Sequence, residues 1–313
     1  RKKKLKTLES RCFLTPRLFT FALIFHASIK SRIAAWKKET DHMINLPISP
    51  EAHKLTKAET EQFKQWGYVK NLPVFDEAAI PVLQQRFREL VAMLPSDMHI
   101  SRVPLWHKAN RYIYNLSRTP TILDYVEDVL GPNFFQWGAH CFAKFPHDGT
   151  LVPWHQDAYY WPLEPKTTVT VWLALFDTDE SNAAMRIVRG SHLCGPLEHH
   201  EVDGDHYMLT DEVEEEAIKQ SEVVTLDLKA GEISLHDNRL IHGSGPNNSD
   251  RLRAGQTMRF SPTNVKADLS VWPTFESYLV RGVDEYQHNP AGKVPSRNGH
   301  PLGPKMQGSW EFE

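Results

Sequence analysis

Apolar residues recur at helical spacing in the first half of the chain, which predicts three helices. Helix formers run from Thr56 to Trp66 and stop at Gly67, a residue suited to a C-cap. Asp76 is placed to cap a second helix that runs to about Leu94. Its apolar stripe comprises Ile80, Leu83, Phe87, Leu90, Val91 and Leu94. Thr119-Pro120 opens a third helix, and Gly131-Pro132 ends it.

After Gly131 the pattern changes to short apolar or alternating runs, separated by Gly, Pro, Asp and Asn, which predicts strands. The runs are 134–145, 167–176, 222–228, 232–236 and 256–260. A further turn is predicted at residues 71–73, between two short apolar pairs. Helices followed by many antiparallel-looking strands favour an α+β fold whose mainly β core is a sandwich or barrel.

The two ends of the chain differ from this domain. Residues 1–42 hold eleven Lys or Arg against three Asp or Glu, and an apolar run covers 18–25. We expect an N-terminal extension that is disordered or an artefact of the gene model, with a targeting segment or a basic arm as alternatives. The apolar run is short of the roughly 18 residues that a membrane span needs. We expect residues 43–313 to form one domain, with an exposed acidic loop at 201–219 and a C-terminal tail from about 282.

Overall composition narrows the class of function. The formal net charge of −3 argues against a nucleic-acid partner attracted by bulk charge. The three cysteines have no paired spacing, so neither a disulfide framework nor a zinc motif is indicated, and a cytoplasmic location is favoured.

The candidate chemistry begins at His155 and Asp157, the only His-x-Asp pair in the chain. Residues i and i+2 of a strand face the same side, so both side chains could bind one metal ion. Ordinary strand-end hydrogen bonds are the alternative for this pair. A third ligand from elsewhere would complete the facial triad that is typical of non-haem Fe(II) oxygenases.

His242 is well placed to be that third ligand, because it follows a predicted strand and turn and precedes a Gly-rich exit. Arg251, Arg253 and Arg259 come next. An arginine on the following strand could bind a carboxylate in bidentate fashion. A metal triad with such a clamp suits a 2-oxoacid cosubstrate.

The order of these blocks resembles that of the phytanoyl-CoA dioxygenase family of Fe(II)/2-oxoglutarate oxygenases. The resemblance covers roughly residues 56–265. The matching blocks are Trp154-His155-Gln156-Asp157, Val171-Trp172-Leu173-Ala174-Leu175, Arg189-Gly190-Ser191-His192, His242-Gly243-Ser244-Gly245-Pro246-Asn247-Asn248-Ser249 and Arg253-Ala254.

The resemblance implies a role for each matching residue. His155, Asp157 and His242 match the iron ligands. Arg253 matches the arginine that clamps the far carboxylate of 2-oxoglutarate, and Ser244 matches a hydroxyl that supports it. Trp172 matches a tryptophan of the cosubstrate pocket, with a plain core residue as the alternative. The family fold is a double-stranded β-helix, the cupin-like jelly roll, with helices packed outside.

One departure from the family pattern lies at Asn182-Ala183, where the family usually has Asn-Gly. Loss of the glycine removes easy access to positive φ, so this loop is expected to differ. Because Asp157 occupies the position that halogenases of this family leave empty, hydroxylation is favoured.

The remaining candidates are weighed individually. His236 and Asp237 are adjacent and should face opposite sides of a strand, so a structural role is preferred. His199, His200 and His206 are expected to be exposed in the acidic loop. An aromatic run is expected to line the substrate pocket or to form part of the core, and it consists of Tyr159, Tyr160 and Trp161. Lys144 and His140 could approach the same pocket.

Taken together, these features predict an enzyme that uses Fe(II), 2-oxoglutarate and O₂ to hydroxylate an unactivated C–H bond of a small molecule. The alternative is a cupin-like metal-binding jelly-roll protein, either a binding module or an isomerase, that does not use 2-oxoglutarate. The pair formed by Arg253 and Ser244 discriminates between them, since a simple metal site has no need of it.

Overall fold

The computed structural model describes residues 45–204, 206–219 and 222–302. The predictions made for residues 1–42 lie outside these ranges. Within them, no helix is long and apolar enough to cross a membrane.

The three predicted helices are present. Sequence signals set the ends of the first helix, but the second begins after Ala79, which makes no side-chain cap, and so Asp76 does not cap it as predicted. α1 spans Lys57–Trp66, with a capping box between Thr56 and Glu59 and a left-handed C-cap at Gly67. α2 spans Ile80–Ala92 and buries Leu83, Phe87 and Leu90; the Asp76 carboxylate accepts from the backbone of the turn before it. Between α2 and the third predicted helix lie two short helices, α3 (Trp106–Ala109) and α4 (Arg111–Leu116). The third predicted helix is α5, Pro120–Leu130.

The strands form two antiparallel sheets that face each other. The larger sheet has the order β1-β10-β5-β12-β2-β14 and the smaller has the order β3-β11-β6-β9. The strands of the larger sheet are β1 Tyr68–Pro73, β2 Phe134–Lys144, β5 Val169–Ala174, β10 Glu232–Asp237, β12 Arg253–Pro262 and β14 Tyr278–Arg281. The strands of the smaller sheet are β3 Val152–His155, β6 Arg186–Val188, β9 Val223–Thr225 and β11 His242–Ser244.

Two small two-stranded sheets and one helical turn lie beside the two large sheets. β4 (Leu163–Glu164) pairs with the distant β13 (Lys266–Ala267), and β7 (His199–Glu201) forms a hairpin with β8 (Asp211–Val213). α6 is the single turn Asp157–Tyr160. The β7–β8 hairpin lies partly within the segment predicted as an exposed loop. The segment predicted as a turn at 71–73 is instead part of β1, which continues past an irregularity with Asn71 at φ 59°.

The two faces of the larger sheet differ in chemistry, and this positions the site. The main apolar core packs helices against one face, and Val171, Leu235, Ala254 and Met258 belong to it. Strand alternation turns the neighbouring residues toward the smaller sheet, and these include Trp172, His236, Arg253 and Arg259. The space between the sheets is therefore lined by polar side chains. Mainly antiparallel strands with helices outside match the predicted α+β jelly roll.

The loop that departs from the family pattern keeps a left-handed residue. Ala183 has φ 64° and ψ 47°, although alanine lacks the freedom of glycine there. A hydrogen-bonded turn holds it, because Asp179 and Asn182 cap each other reciprocally. The expectation of a different loop therefore does not hold at this residue, where the backbone is αL despite the alanine.

Replacing Ala183 with glycine is expected to stabilise the protein by about 1 kcal/mol, because the left-handed strain is relieved. The melting temperature should rise by about 2 °C. Thermal unfolding measures it, with Ala184→Gly as the control, since Ala184 has no positive φ and is buried. Equal destabilisation by both substitutions would contradict the assignment of strain to Ala183.

Candidate metal centre

Two histidines meet where the smaller sheet ends. His155 is the last residue of β3, His242 is the first of β11, and the two are cross-strand partners. Their ring centroids are 4.2 Å apart. The close pairing requires Gly243, because a Cβ there would lie 2.9 Å from the carbonyl oxygen of Val152. The antiparallel register thus brings together two imidazoles that are 87 residues apart in the sequence.

Each imidazole is oriented by a backbone carbonyl. His155 Nδ1 donates to Pro153 O at 2.8 Å, and His242 Nδ1 donates to Leu240 O at 2.9 Å. A carbonyl only accepts, so the proton of the neutral ring must be on Nδ1. Nε2 of each ring then keeps its lone pair for a metal ion. Burial, followed by the neighbouring His155, holds the pKa of His242 well below its usual value, which favours this neutral form.

Asp157 reaches the centre from a helical turn and not from a strand. β3 ends at His155, Gln156 is still extended at φ −107° and ψ 123°, and Asp157 begins α6. The prediction that His155 and Asp157 share one face of a strand is therefore wrong, because Asp157 lies in a helical turn. The backbone N–H of Ala158 donates to Asn238 O at 2.7 Å and fixes the turn.

The carboxylate lies within reach of both histidines. Asp157 Oδ1 is 3.8 Å from His155 Nε2, and Oδ2 accepts from the hydroxyl of Thr170 at 3.4 Å. Burial alone would raise the pKa of Asp157, but the nearby positive charge of Arg259 holds it below its usual value. The carboxylate is therefore anionic although it is buried.

The donor set fits a divalent ion. One ligand atom from each of His155, Asp157 and His242 lies within 4.8 Å of the others, and all three residues are buried. Two neutral imidazole nitrogens and one carboxylate on one side of a site are the ligands that non-haem Fe(II) prefers. Neither Nε2 atom carries a proton, so the two cannot hydrogen-bond to each other. A metal ion bound by both would give each buried nitrogen a partner.

His236 lies beside this group without belonging to it. Its Nε2 is 3.9 Å from Asp157 Oδ2, and its ring centroid is 4.9 Å from that of His242. Neither ring nitrogen has a hydrogen-bond partner. Burial lowers the pKa of His236 to about 4, so the ring is neutral. Asp237 faces the other way and binds Arg239, as expected for adjacent strand residues.

On the opposite sheet, Arg253 and Trp172 form a second part of the site. The Arg253 guanidinium lies 4.9 Å from the Trp172 ring, and both residues are buried. Nε of Arg253 has no partner, and no described residue forms an ion pair with this arginine. A Cβ at Gly255 would lie 2.1 Å from Trp172, so the indole occupies the space that this glycine leaves. Burial lowers the pKa of Arg253 to about 10, which leaves it charged at neutral pH.

The three arginines that sequence spacing left in competition are clearly separated. Arg251 is half-exposed and binds Asp179 at 2.8 Å. Arg253 is buried at the start of β12, and Arg259 is buried near its far end. Arg251 therefore faces away from the site, although residues two apart in a regular strand would share a face.

Lys144 ties the loop after His242 to the larger sheet. It lies opposite Arg253 on β2, and its Nζ donates to Thr150 O at 2.9 Å, to Ser244 O at 3.1 Å and to Gly245 O. Ser244 itself is buried. Burial, together with the charge of Arg253, lowers the pKa of Lys144 to about 7. Three carbonyl acceptors match the three donors of the ammonium form.

The three residues of the predicted aromatic run differ in their exposure and in their position relative to the metal centre. Tyr159 is 49% exposed and stacks on His199 at 4.0 Å. The Tyr160 ring lies 6.0 Å from that of His155, and its hydroxyl donates to Asp211 O. Trp161 is buried against Trp137 at 4.6 Å. Tyr159 and Tyr160 therefore lie between the centre and the β7–β8 hairpin, while Trp161 packs in an aromatic cluster.

The sequence analysis missed Gln156 and His199. The Gln156 side chain is buried, donates to Gly195 O at 3.1 Å and to Arg239 O at 2.7 Å, and accepts from Leu197 N at 2.9 Å. His199 Nε2 accepts from the backbone of Gln156 at 3.1 Å, so it is not simply exposed. The sequence signal that could have indicated Gln156 was its position between two candidate metal ligands.

Replacing Gln156 with leucine is expected to weaken metal binding by about 10–100-fold, the usual effect of removing a group that orients ligands. Three backbone groups of the two flanking loops would lose their partner, so stability should also fall by about 2–3 kcal/mol. Isothermal titration with Mn(II) and urea unfolding measure these effects. Gln85→Leu, on the exposed face of α2, should change neither. Unchanged Mn(II) affinity in Gln156→Leu would contradict the orienting role.

Comparison with known proteins places this geometry in a family. The family model described as "Phytanoyl-CoA dioxygenase (PhyH)" matches residues 63–255. Peroxisomal phytanoyl-CoA dioxygenase from Bos taurus is 28% identical over 178 residues, which cover 55% of this chain and 52% of the bovine protein. A probable alpha-ketoglutarate-dependent hypophosphite dioxygenase from Stutzerimonas stutzeri is 32% identical over 180 residues, covering 54% of this chain and 60% of that protein.

A solved structure extends the likeness to the fold. The non-heme monooxygenase ThoJ, without ligand, superposes with a TM-score of 0.64 at 27% identity, and the match covers 76% of this chain and 89% of that one. The chain spans about half the length of the bovine relative. The match to residues 63–255 includes His155, Asp157, His242 and Arg253, and the chain belongs to the phytanoyl-CoA dioxygenase (PhyH) family.

Proposed function

We propose that this chain is an Fe(II)- and 2-oxoglutarate-dependent dioxygenase that hydroxylates a C–H bond of a small molecule. His155, Asp157 and His242 hold the iron, and Arg253 binds the distal carboxylate of 2-oxoglutarate. The observation that carries the proposal is a buried three-residue metal-ligand group together with a buried arginine that has no carboxylate partner among the described residues. A jelly roll that only stores a metal has no use for such an arginine.

The residues proposed to bind the metal and those proposed to bind 2-oxoglutarate come from different parts of the fold. The smaller sheet and α6 present the three ligands, with the imidazole protons held on Nδ1 by carbonyls. The larger sheet presents Arg253 on the face of Trp172, where low solvent exposure strengthens a bidentate charge pair. Bound iron supplies the activation of O₂ that is coupled to the decarboxylation of 2-oxoglutarate to succinate and CO₂.

The names of the relatives do not agree on one substrate. Their names specify an acyl-CoA in one case and hypophosphite in another. A small molecule is proposed because Tyr160, whose ring lies 6.0 Å from that of His155, also hydrogen-bonds to the β7–β8 hairpin and so limits the space beside the metal ligands.

Equilibrium binding of 2-oxoglutarate tests the proposal against the metal-module alternative. Under argon, the full chain should bind one 2-oxoglutarate with Fe(II) present and bind it much more weakly without metal. Binding of Fe(II) with no metal-dependent binding of 2-oxoglutarate would favour the cupin-like module. When a substrate is found, its product should contain one ¹⁸O atom from ¹⁸O₂, which distinguishes hydroxylation from epimerisation or ring closure.

The pKa of Lys144 near 7 predicts a pH dependence of this binding. As pH rises from 6.5 to 8.5 the ammonium charge beside Arg253 is lost, so the affinity for 2-oxoglutarate should fall by about fivefold. Arg253, with its pKa lowered only to about 10, stays charged across this window. Titration calorimetry at both pH values measures the ratio. Lys144→Met should bind weakly at both, the exposed Lys64→Met should behave like the wild type, and a pH ratio retained in Lys144→Met would contradict the assignment.

A further inference from the structure

Arg259 is a second buried arginine of the site, and the proposed function gives it no role. It lies on β12 six residues after Arg253 and on the same face of the strand. The two Cα atoms are therefore about 20 Å apart along the strand. In the ladder Arg259 lies opposite Thr170, whose hydroxyl donates to Asp157 Oδ2. Arg259 thus approaches the metal centre from the end that Arg253 leaves free.

The guanidinium of Arg259 has no partner in the described residues. The residue is 8% exposed, it forms no ion pair or hydrogen bond there, and its Nε is buried and unpaired. Two tryptophan rings lie beside it, with the Trp161 centroid at 4.9 Å and the Trp137 centroid at 5.8 Å from the guanidinium carbon. An unpaired buried charge is costly, so a protein that retains one commonly uses it for a ligand.

The surroundings are shaped to hold this side chain. A Cβ at Gly138, the cross-strand partner of Arg259, would lie 3.0 Å from Arg259 Cδ. The tryptophan faces support the side chain of Arg259 and offer no hydrogen-bond acceptor to its N–H groups. Those N–H groups therefore remain available to an incoming anion.

The positive charge of Arg259 is not needed to balance the charges of the metal, its ligands and 2-oxoglutarate. In the loaded site, the metal and Arg253 together balance Asp157 and both carboxylates of 2-oxoglutarate. The ammonium of Lys144 donates to three backbone carbonyls, so its N–H groups are not free for a further anion. Asp157 is the carboxylate whose charge acts on Arg259, and it is already assigned to the metal. Arg259 therefore has no carboxylate of its own among the described residues.

We propose that Arg259 binds an oxyanion of the prime substrate, so that the substrate is a small anion held between Arg259 and the metal centre. The proposal rests on the function proposed above and specifies its substrate class. A guanidinium fork suits a carboxylate and a phosphorus oxyanion alike. The competing role for Arg259 is to hold Asp157 in place, in which case its loss would weaken metal binding.

Tryptophan fluorescence offers a direct test, because Trp137 and Trp161 adjoin Arg259. The full chain with Fe(II) and saturating 2-oxoglutarate under argon is titrated with propionate, hexanoate, methylphosphonate and hypophosphite. Propionamide and hexanamide serve as neutral counterparts. At least one anion should change the fluorescence saturably while the amides do not, and the class that binds identifies the oxyanion.

Variants assign the binding to Arg259. Arg259→Gln should weaken the anion by about 30-fold or more, and Arg259→Lys should recover part of it, while Mn(II) affinity stays within about threefold of the wild type. Arg251→Gln, an exposed arginine, should match the wild type. Melting curves of each variant confirm that it folds.

Three outcomes would overturn the proposal: no anion binds the wild type, Arg259→Gln binds it as tightly as the wild type, or the loss in Arg259→Gln is confined to metal affinity. Failure of the underlying function has a different signature, namely absence of 2-oxoglutarate binding to the wild type. The anion titration is repeated with Fe(II) alone, so that the result for Arg259 stands apart from that failure.

Discussion

Asp157→Ala is expected to lose at least about 100-fold in affinity for Fe(II), because substitution of groups that merely orient ligands already costs about 10–100-fold. The carboxylate is the single anion among the three proposed ligands, and the charge of Arg259 helps to keep it ionised. Its removal would leave two neutral imidazoles 4.2 Å apart as the whole site. Anaerobic titration calorimetry with Fe(II) measures the loss.

The control for this substitution is Asp250→Ala, since the side chain of Asp250 is 97% exposed. It removes the same charge far from the centre and should leave Fe(II) affinity unchanged. Asp157→Ala should also leave the apo protein folded, because Asp157 accepts only one long hydrogen bond, from Thr170. Wild-type Fe(II) affinity in a folded Asp157→Ala protein would exclude Asp157 as a ligand.

Arg253→Gln is expected to weaken 2-oxoglutarate by about 100-fold or more, since truncating one partner of a buried charge pair costs about 2–5 kcal/mol. Fe(II) affinity should be unchanged, because Arg253 lies on the opposite sheet from the histidine ligands. Stability should not fall much, because in the free protein this guanidinium has no ion pair to lose. Competition of 2-oxoglutarate against a fluorescent or radiolabelled tracer measures the affinity.

Arg251→Gln is a matched control two residues away. It removes the same charge, but Arg251 binds Asp179 and Ser181 at the surface. Its 2-oxoglutarate affinity should equal that of the wild type. Equal weakening in both variants would indicate a general charge effect and would contradict a specific clamp at Arg253.

Much of this fold was predictable because local signals agreed with the tertiary structure. The capping residues Thr56 and Gly67 and the break at Gly131 set helix ends that packing did not change. Alternation in β5 and β12 predicted strands, since buried sheet residues repeat with period two. The His-x-Asp pair and His242 could be grouped because residue order matched a family pattern, not because the sequence stated their distance.

Other features depend on contacts between distant residues and leave no local trace. That Asp157 begins a helical turn depends on the hydrogen bond from Ala158 to Asn238, 80 residues later. Arg251 and Arg253 alternate like strand neighbours in the sequence, but β12 begins only at Arg253, so Arg251 turns to the surface. Ala183 keeps a left-handed conformation because Asp179 and Asn182 hold the turn, which composition alone could not indicate.

The most direct test of the central claim is succinate formation by the full chain supplied with Fe(II), ascorbate, O₂ and 2-oxoglutarate. The wild type and Arg251→Gln should form succinate that carries one ¹⁸O atom when ¹⁸O₂ is used, whereas Asp157→Ala and Arg253→Gln should form none. A wild type that binds Fe(II) but neither binds 2-oxoglutarate nor forms succinate would contradict that claim, and the chain would then be a metal-binding jelly roll without this chemistry.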